Sequence, residues 1–161
     1  MTKKEYLEAA LKEGGMTGRI YASVKELKHA QGTNYGAVLR GKDKPTRSKS
    51  KKYYKDEEDR SMLRHKPYDM ETTYNVVIAA ATEGKAEEVL EGFLKAVGRG
   101  YYDDGGNWVA VEPEETDWVD EDDSVMKAKV AVQVAVICRY GLYIDTEAGA
   151  MPEETDISFG E

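Results

Sequence analysis

Cysteine is almost absent. Cys138 is the only one in 161 residues, which excludes an intrachain disulfide and a cysteine zinc site. That usage suits a reducing interior, or an assembly made in one. Histidine is nearly as scarce, with only His29 and His65. No Ser or Cys nucleophile sits in a recognisable strand–turn–helix elbow, so a hydrolytic triad has no support. Apolar runs stay well below the roughly 18–20 residues of a membrane span. The N-terminal MTKKEYLEAA lacks the apolar core of a signal peptide. These absences lead to an expectation of no catalysis, no metal, no cofactor and no membrane partner.

Charge is what the chain has in quantity. Charged residues make up 34% of it and the net charge is −8. Such a balance suits a soluble protein without general affinity for nucleic acid or anionic membrane. The 40% apolar share fills a single modest core, so one domain is expected at this length. Placement says more than the total. Residues 40–55 hold eight bases against one acid, Asp43. Residues 101–126 hold ten acids and no base, and residues 145–161 hold six more acids and no base. The chain therefore carries a basic arm and two acidic segments.

The run MKAKVAVQVAVICRY, residues 126–140, is the strongest local signal. Met126, Ala128, Val130, Val132, Val134, Val136, Cys138 and Tyr140 fall on one face, an alternation that fits a β-strand and no helix. Cys138 belongs to that apolar face, which makes it a small buried residue rather than a nucleophile. At about 3.3 Å per residue the run spans roughly 50 Å, while a domain of this length is on the order of 30 Å across. Such a strand bends sharply or runs out of its own subunit, and this points to assembly.

The remaining elements follow from caps and periodicity. Thr2-Lys3-Lys4-Glu5 and Ser23-Val24-Lys25-Glu26 both have the form of a capping box. The first opens a short helix with Tyr6, Leu7, Ala10 and Leu11 as its stripe, ended by Gly14-Gly15; the second opens a short helix through His29. Residues 19–22 and 36–40 read as strands. Residues 41–60 are rich in Lys and Ser and lack apolar periodicity. They form a long projecting hairpin or a flexible loop, unable to fold alone. Residues 72–81 form a largely covered strand. In the main helix, residues 85–97, Ala86, Val89, Leu90, Phe93, Leu94 and Val97 make an amphipathic stripe. Asp103-Asp104-Gly105-Gly106-Asn107 is a turn, Trp108 to Val111 a strand, and an acidic loop leads into the long strand. The fold class is α+β: an antiparallel or mixed sheet with a long C-terminal strand, a main helix packed on it, a short N-terminal helix and the projecting basic arm. Residues 1–145 make the domain and 146–161 an acidic tail.

Chemical constellations are weak. Asp120-Glu121-Asp122-Asp123 lacks the glycine and the ligand spacing of a calcium loop, so a solvated loop or a face for a basic partner is preferred. Glu83-Gly84-Lys85 with Asp69 upstream has the residue types of a nuclease metal site, but its Glu-x-Lys falls at a helix start. The arm is richer: Lys42, Lys44, Arg47, Lys49, Lys51 and Lys52 lie beside Tyr53-Tyr54. Lysines contact phosphates and tyrosines stack on bases, which keeps a nucleic-acid reading open. Complementarity to an acidic patch on another copy is favoured, because one chain supplies both signs in separate blocks. The expected interface set is those six bases, Asp120, Asp122 and Asp123, Trp118, and Val132 and Val134 of the long strand. Trp118 either folds back on its own sheet or anchors to a partner.

The segment order across residues 72–145 (TTYNVVIAAA, then EEVLEGFLKAVG, then GGNWVAVEPEETDW, then VAVQVAVICRYGLY) resembles the tail terminator, or tail completion, proteins of tailed bacteriophages. The resemblance implies a virion structural protein, assembled in the bacterial cytoplasm and located in the tail. Its subunits would form a ring, commonly a hexamer, that caps the tail tube and joins a head-side connector protein. The partners implied are other copies of the chain, the tail tube protein and that connector. The long basic arm and the acidic tail depart from the family pattern, which leaves another head–tail joining component as an alternative. A small nucleic-acid binder using residues 40–55 is the second class.

Overall fold

The computed structural model describes residues 1–120 and 130–148, and Asp122, Asp123, residues 126–129 and the acidic stretch from 149 onward lie outside the described residues. In chain order the elements are α1 (Lys3–Glu13), β1 (Arg19–Tyr21), α2 (Val24–Leu27), β2 (Tyr35–Lys55), β3 (Ser61–Ala80), α3 (Glu83–Ala96), β4 (Gly100–Tyr102), β5 (Trp108–Asp120) and β6 (Val130–Glu147). The six strands form one sheet in the order β1-β2-β3-β6-β5-β4. Only β1 and β2 pair in parallel, so the sheet is mixed and the fold is α+β.

Both N-caps are formed, while the reciprocal glutamates take other donors, Glu5 the Thr2 hydroxyl and Glu26 the Ala22 amide. Thr2 Oγ1 accepts from the Glu5 amide at 3.2 Å, and Ser23 Oγ accepts from the Glu26 amide at 3.2 Å. Helix α1 buries Leu7, Ala10 and Leu11. Helix α3 buries Ala86, Leu90, Phe93 and Val97, a stripe at i, i+4, i+7 and i+11. Leu94, expected on the same face, is 41% exposed; it lies about 100° around the helix from Phe93, past the edge of the contact. The helices touch backbone to backbone at Gly14 and Gly92. A Cβ on Gly14 would stand 2.4 Å from the Phe93 nitrogen, and one on Gly92 would stand 2.0 Å from the Gly14 oxygen.

Beneath the helices lies the main core. Val38, Tyr74, Val76, Ile78, Val132, Val134, Val136 and Cys138 form its sheet side, with Val109 and Val111 from β5. A second, smaller cluster on the opposite face joins Tyr21, Tyr35, Ala37, Val77 and Ala79, with Leu27 of α2 packed against it. The end of β3 is therefore covered on both faces, as its run of apolar residues predicts.

The basic stretch is strand throughout. Of the two readings of residues 41–60, the hairpin is the one found, with a tip at residues 56–60. Residues 41–60 do lack the apolar surface to fold alone. They are ordered because β3 pairs with β2 out to Lys55 and β6 backs β3 out to Glu147, giving the arm three strands.

The long strand needs a different account from the one expected. β6 has 18 residues, about 60 Å of chain, yet it neither bends off nor leaves its subunit. The 20-residue β3 pairs with it from Val130 to Glu147. At the far end the helix-side face is covered only in part: Leu63 and His65, opposite Thr146 and Ile144, are buried. Val132, Val134, Val136 and Cys138 are fully buried, whereas Leu142 and Ile144, on the same face, are 43% and 48% exposed. Residues 112–120, read as an acidic loop, are also strand: β5 continues along β6 to Asp120 past an irregularity between Pro113 and Glu115.

Candidate interaction surface

The arm grows from a polar joint where the core ends. At this joint β2 has a bulge between Arg40 and Asp43, and Asp43 turns back to accept from the buried Thr72 hydroxyl at 2.6 Å. The Arg40 guanidinium donates to both Asp43 oxygens at 3.0 Å. Thr72 also meets the Tyr140 hydroxyl at 3.0 Å, and the Lys3 ammonium sits 3.7 Å above the Tyr140 ring. The Thr72 hydroxyl, then Arg40, hold the Asp43 carboxyl below its usual range.

Beyond the joint, Leu63 and His65 are the side chains still buried on β3, and ion pairs take over most of the rest. Arg64 on β3 forks onto Asp145 of β6 at 2.8 and 3.1 Å, and donates to Asn107 in the β4–β5 turn at 2.7 Å. Its guanidinium lies 5.5 Å from the Tyr54 ring and 4.8 Å from the Tyr143 ring. Hydrogen bonding to Arg64 is the main reason the Asp145 carboxyl is held below its usual range. Arg60 reaches Glu147 at 3.3 Å and Asp56 at 2.8 Å. The Asp56 carboxylate closes the tip by accepting from the Arg60 and Glu58 amides. Lower down, Lys66 pairs with Asp69 at 2.8 Å, and Arg139 bridges Glu71 and Glu112. Asp145 and Glu147 therefore belong to the arm, although their charge grouped them with the acidic tail.

The six expected bases separate in this frame. Lys42, Lys44 and Lys52 are exposed on β2 and form no ion pair among the described residues. The Arg47 guanidinium lies 5.7 Å from the Tyr68 ring. Lys49 and Lys51 have partners of their own. Trp118 is 42% exposed and sits on β5 rather than in a loop. Asp120 is the last described residue of that strand. Val132 and Val134 need correcting as interface residues: both are fully buried beneath the subunit's own helices. The residues that shape the arm most, Arg64, Asp43, Thr72 and Tyr140, were missed. The signal available for them was the continuation of β6 alternation through Leu142 and Ile144.

The sheet has two open borders. β1 covers β2 only at Tyr35–Ala37, and β4 covers β5 only at Trp108–Ala110. Among the described residues, the outer edges of β2 from 38 to 55 and of β5 from 111 to 120 have no strand partner. The first edge carries the basic block. The second carries Glu112, Glu114, Glu115, Asp117 and Asp120 and no base.

No protein-family model and no curated protein matches this chain. Among solved structures, a chain described as "Virion of native gene transfer agent (GTA) particle" superposes with a TM-score of 0.43 and 10% identity, covering 87% of this chain and 95% of that one.

Other sites carry less chemistry. A cleft of about 530 Å³ lies between the end of α1 and the start of α3. Its charged lining residues are Lys85 and Glu88, which pair at 3.9 Å on the helix surface. The nuclease arrangement is not assembled. Asp69 faces Gly141 in the arm while Glu83 follows Ala80 at the far end of β3, about 36 Å along the strand. Burial pushes the Cys138 thiol up to about 11, the opposite of what a nucleophile needs.

Proposed function

We propose that this chain is a phage-type virion structural protein, a tail terminator whose copies close into a ring that caps the tail tube and presents a face to the head-side connector. It works by docking and shape rather than by catalysis, with no cofactor. The observation that carries this reading is the pair of unfinished sheet borders of opposite charge on one subunit. A soluble protein with long exposed strand edges blunts them or uses them. A closed ring uses every one of them with a single repeated contact. The resemblance in segment order supplies the tail terminator as the specific ring, and a sixfold ring as the expected copy number.

Light scattering with negative-stain imaging of the same sample tests it. The expected result is a concentration-dependent particle of one mass and annular shape. A chain that stays monomeric at high concentration, with tail tube protein present, overturns the reading. One observation favours a second function: Lys42, Lys44 and Lys52 form no ion pair among the described residues, and Tyr53, next to Lys52, is 71% exposed, a pattern that suits phosphates and stacked bases. A shift of labelled DNA at near-physiological salt, by a monomeric protein, would put that function first.

A further inference from the structure

We infer that the ring contact is edge-to-edge strand pairing: the open β2 edge of one copy joins the open β5 edge of the next, antiparallel and displaced along the strands. This rests on the reading that copies assemble, and it names the surface by which they do so.

Strand direction is the first support. From β2 through β3 and β6 to β5 every neighbour is antiparallel, so β2 and β5 of one subunit run in opposite senses. A second copy placed by translation beside the first therefore offers its β5 antiparallel to β2, the better hydrogen-bonding arrangement. Charge is the second support. Two β2 edges repel one another and two β5 edges do the same, since like charges set opposite each other are destabilising. Only the β2–β5 combination sets the basic edge that carries Lys42, Lys44 and Lys52 against the acidic edge that carries Glu112, Glu114, Glu115 and Asp117. The contact is thus head-to-tail, the kind that generates rings.

Register supplies the third support and a geometric consequence. Arg47, near the middle of the basic edge, aligns through Tyr68 with Leu142 of β6, and Thr116, in the middle of the acidic edge, aligns with Val134. The two edges are offset by eight positions of β6, about 27 Å. The borders are diagonal, so each copy steps along the strand direction relative to the last, and in a closed ring the strands tilt away from the ring axis. The short strands bound the contact. β4 already covers the outer edge of β5 at Trp108–Ala110, so the pairing runs over residues 111–120 of β5 and stops short of the arm tip, while β1 lies on β2 at Tyr35–Ala37, beyond the other end of the joint.

The same placement gives Trp118 a destination. It pairs with Val132 and so shares the face that carries Leu142, ten residues further along β6. On the next copy it lies beside Pro45 and Arg47, which are on that face through Met70 and Tyr68. A half-exposed tryptophan meets an uncovered apolar and cationic strip there, an arrangement that suits cation–π contact as well as burial.

Disulfide trapping tests the pairing on the full chain. Thr116→Cys is mixed with Pro45→Cys, Arg47→Cys or Lys49→Cys, which share its face of the sheet, and oxidised at a concentration where the wild type scatters light as a multimer. Within one subunit β2 and β5 are three strand spacings apart, about 14 Å, too far for a bond that needs Cα atoms within about 7 Å. Cys138 is fully buried and stays out of the exchange. The expected result is a covalent dimer in at least one mixture and none in any single variant alone. Multimers that give no mixed dimer, or give as much dimer from Thr116→Cys alone, overturn the edge pairing while leaving the ring intact. A wild type that never associates removes both.

Discussion

The two halves of β3 and β6 are the same strands held in different ways. From Thr72 to Ala80 and from Val130 to Cys138 they lie under α1 and α3, with side chains of zero or near-zero exposure on the helix face. From Ser61 to Glu71 and from Arg139 to Glu147 no helix covers them among the described residues; Leu63 and His65 are the side chains buried there, and further cohesion comes from Arg64 with Asp145, Arg60 with Glu147, Lys66 with Asp69, and the rings around Arg64. Apolar burial is insensitive to salt and costs several kcal/mol per large residue to remove. Partly exposed ion pairs are worth about 0–1 kcal/mol each and are screened. The body is built to be permanent, and the arm to be adjustable.

The sharpest way to break this contrast is in the body. Phe93 is completely buried at the centre of the helix–sheet contact, so Phe93→Ala is expected to cost about 3–5 kcal/mol. Denaturant melts read by circular dichroism measure it. A loss within about 0.5 kcal/mol, the usual surface value, would mean the helix layer does not carry the fold.

The next effect is on assembly. Lys42, Lys44 and Lys52 form no ion pair among the described residues, so changing all three to Glu is expected to leave the fold alone and to remove the complement to the acidic edge. The melt is expected to stay within about 1 kcal/mol of wild type, while the multimer dissociates at much higher protein concentration. Added salt should weaken the wild-type multimer in the same direction, since exposed charges are screened beyond about 8–10 Å at physiological ionic strength. Sedimentation at several salt concentrations reads both effects. Unchanged association in the triple variant would separate the arm from the ring contact.

The contrast also explains what could be read from residues alone. Caps at Thr2 and Ser23, the α3 stripe around Phe93 and the alternation from Val130 to Cys138 are local, and local chemistry decided them correctly. The arm was ambiguous because residues 41–60 have no periodic apolar face; their order comes from Asp145 and Glu147, some ninety residues away, through Arg64 and Arg60. β5 was cut short at Val111 because Glu112 to Asp120 are rich in acids, and acids are depleted in central strands. At a sheet border they are tolerated, and a border cannot be recognised before the strand order is known. Val132 and Val134 were placed at an interface for a related reason: alternation reveals which face is buried, but not whether the cover is the subunit's own.

A smaller expected effect lies in the arm alone. Arg64→Ala removes the fork onto Asp145, the Asn107 contact and two ring contacts at once. Tryptic cleavage between Lys44 and Lys55 is expected to accelerate several-fold, with the body's melt shifted by no more than about 1 kcal/mol. Equal cleavage rates would show that backbone pairing alone holds the arm.

Acid gives the subtlest test, and its sign follows from three carboxylates. Asp145 is held below its usual range chiefly by Arg64, Asp43 chiefly by the Thr72 hydroxyl, and Asp56 chiefly by the Arg60 amide. A carboxyl lowered in the folded state binds its proton more readily when released, so each favours the closed arm above the unfolded value near 3.9 and loses that preference as pH falls through the lowered folded value. The arm is therefore expected to hold unchanged from pH 8 to about pH 5 and to loosen below about pH 4. Hydrogen exchange of residues 43–65, corrected for intrinsic rates, reads the transition. Asp145→Asn should weaken protection at pH 7 and flatten its fall toward pH 3. Loosening centred near pH 6 would contradict this assignment, because all three carboxyls are held below their usual range.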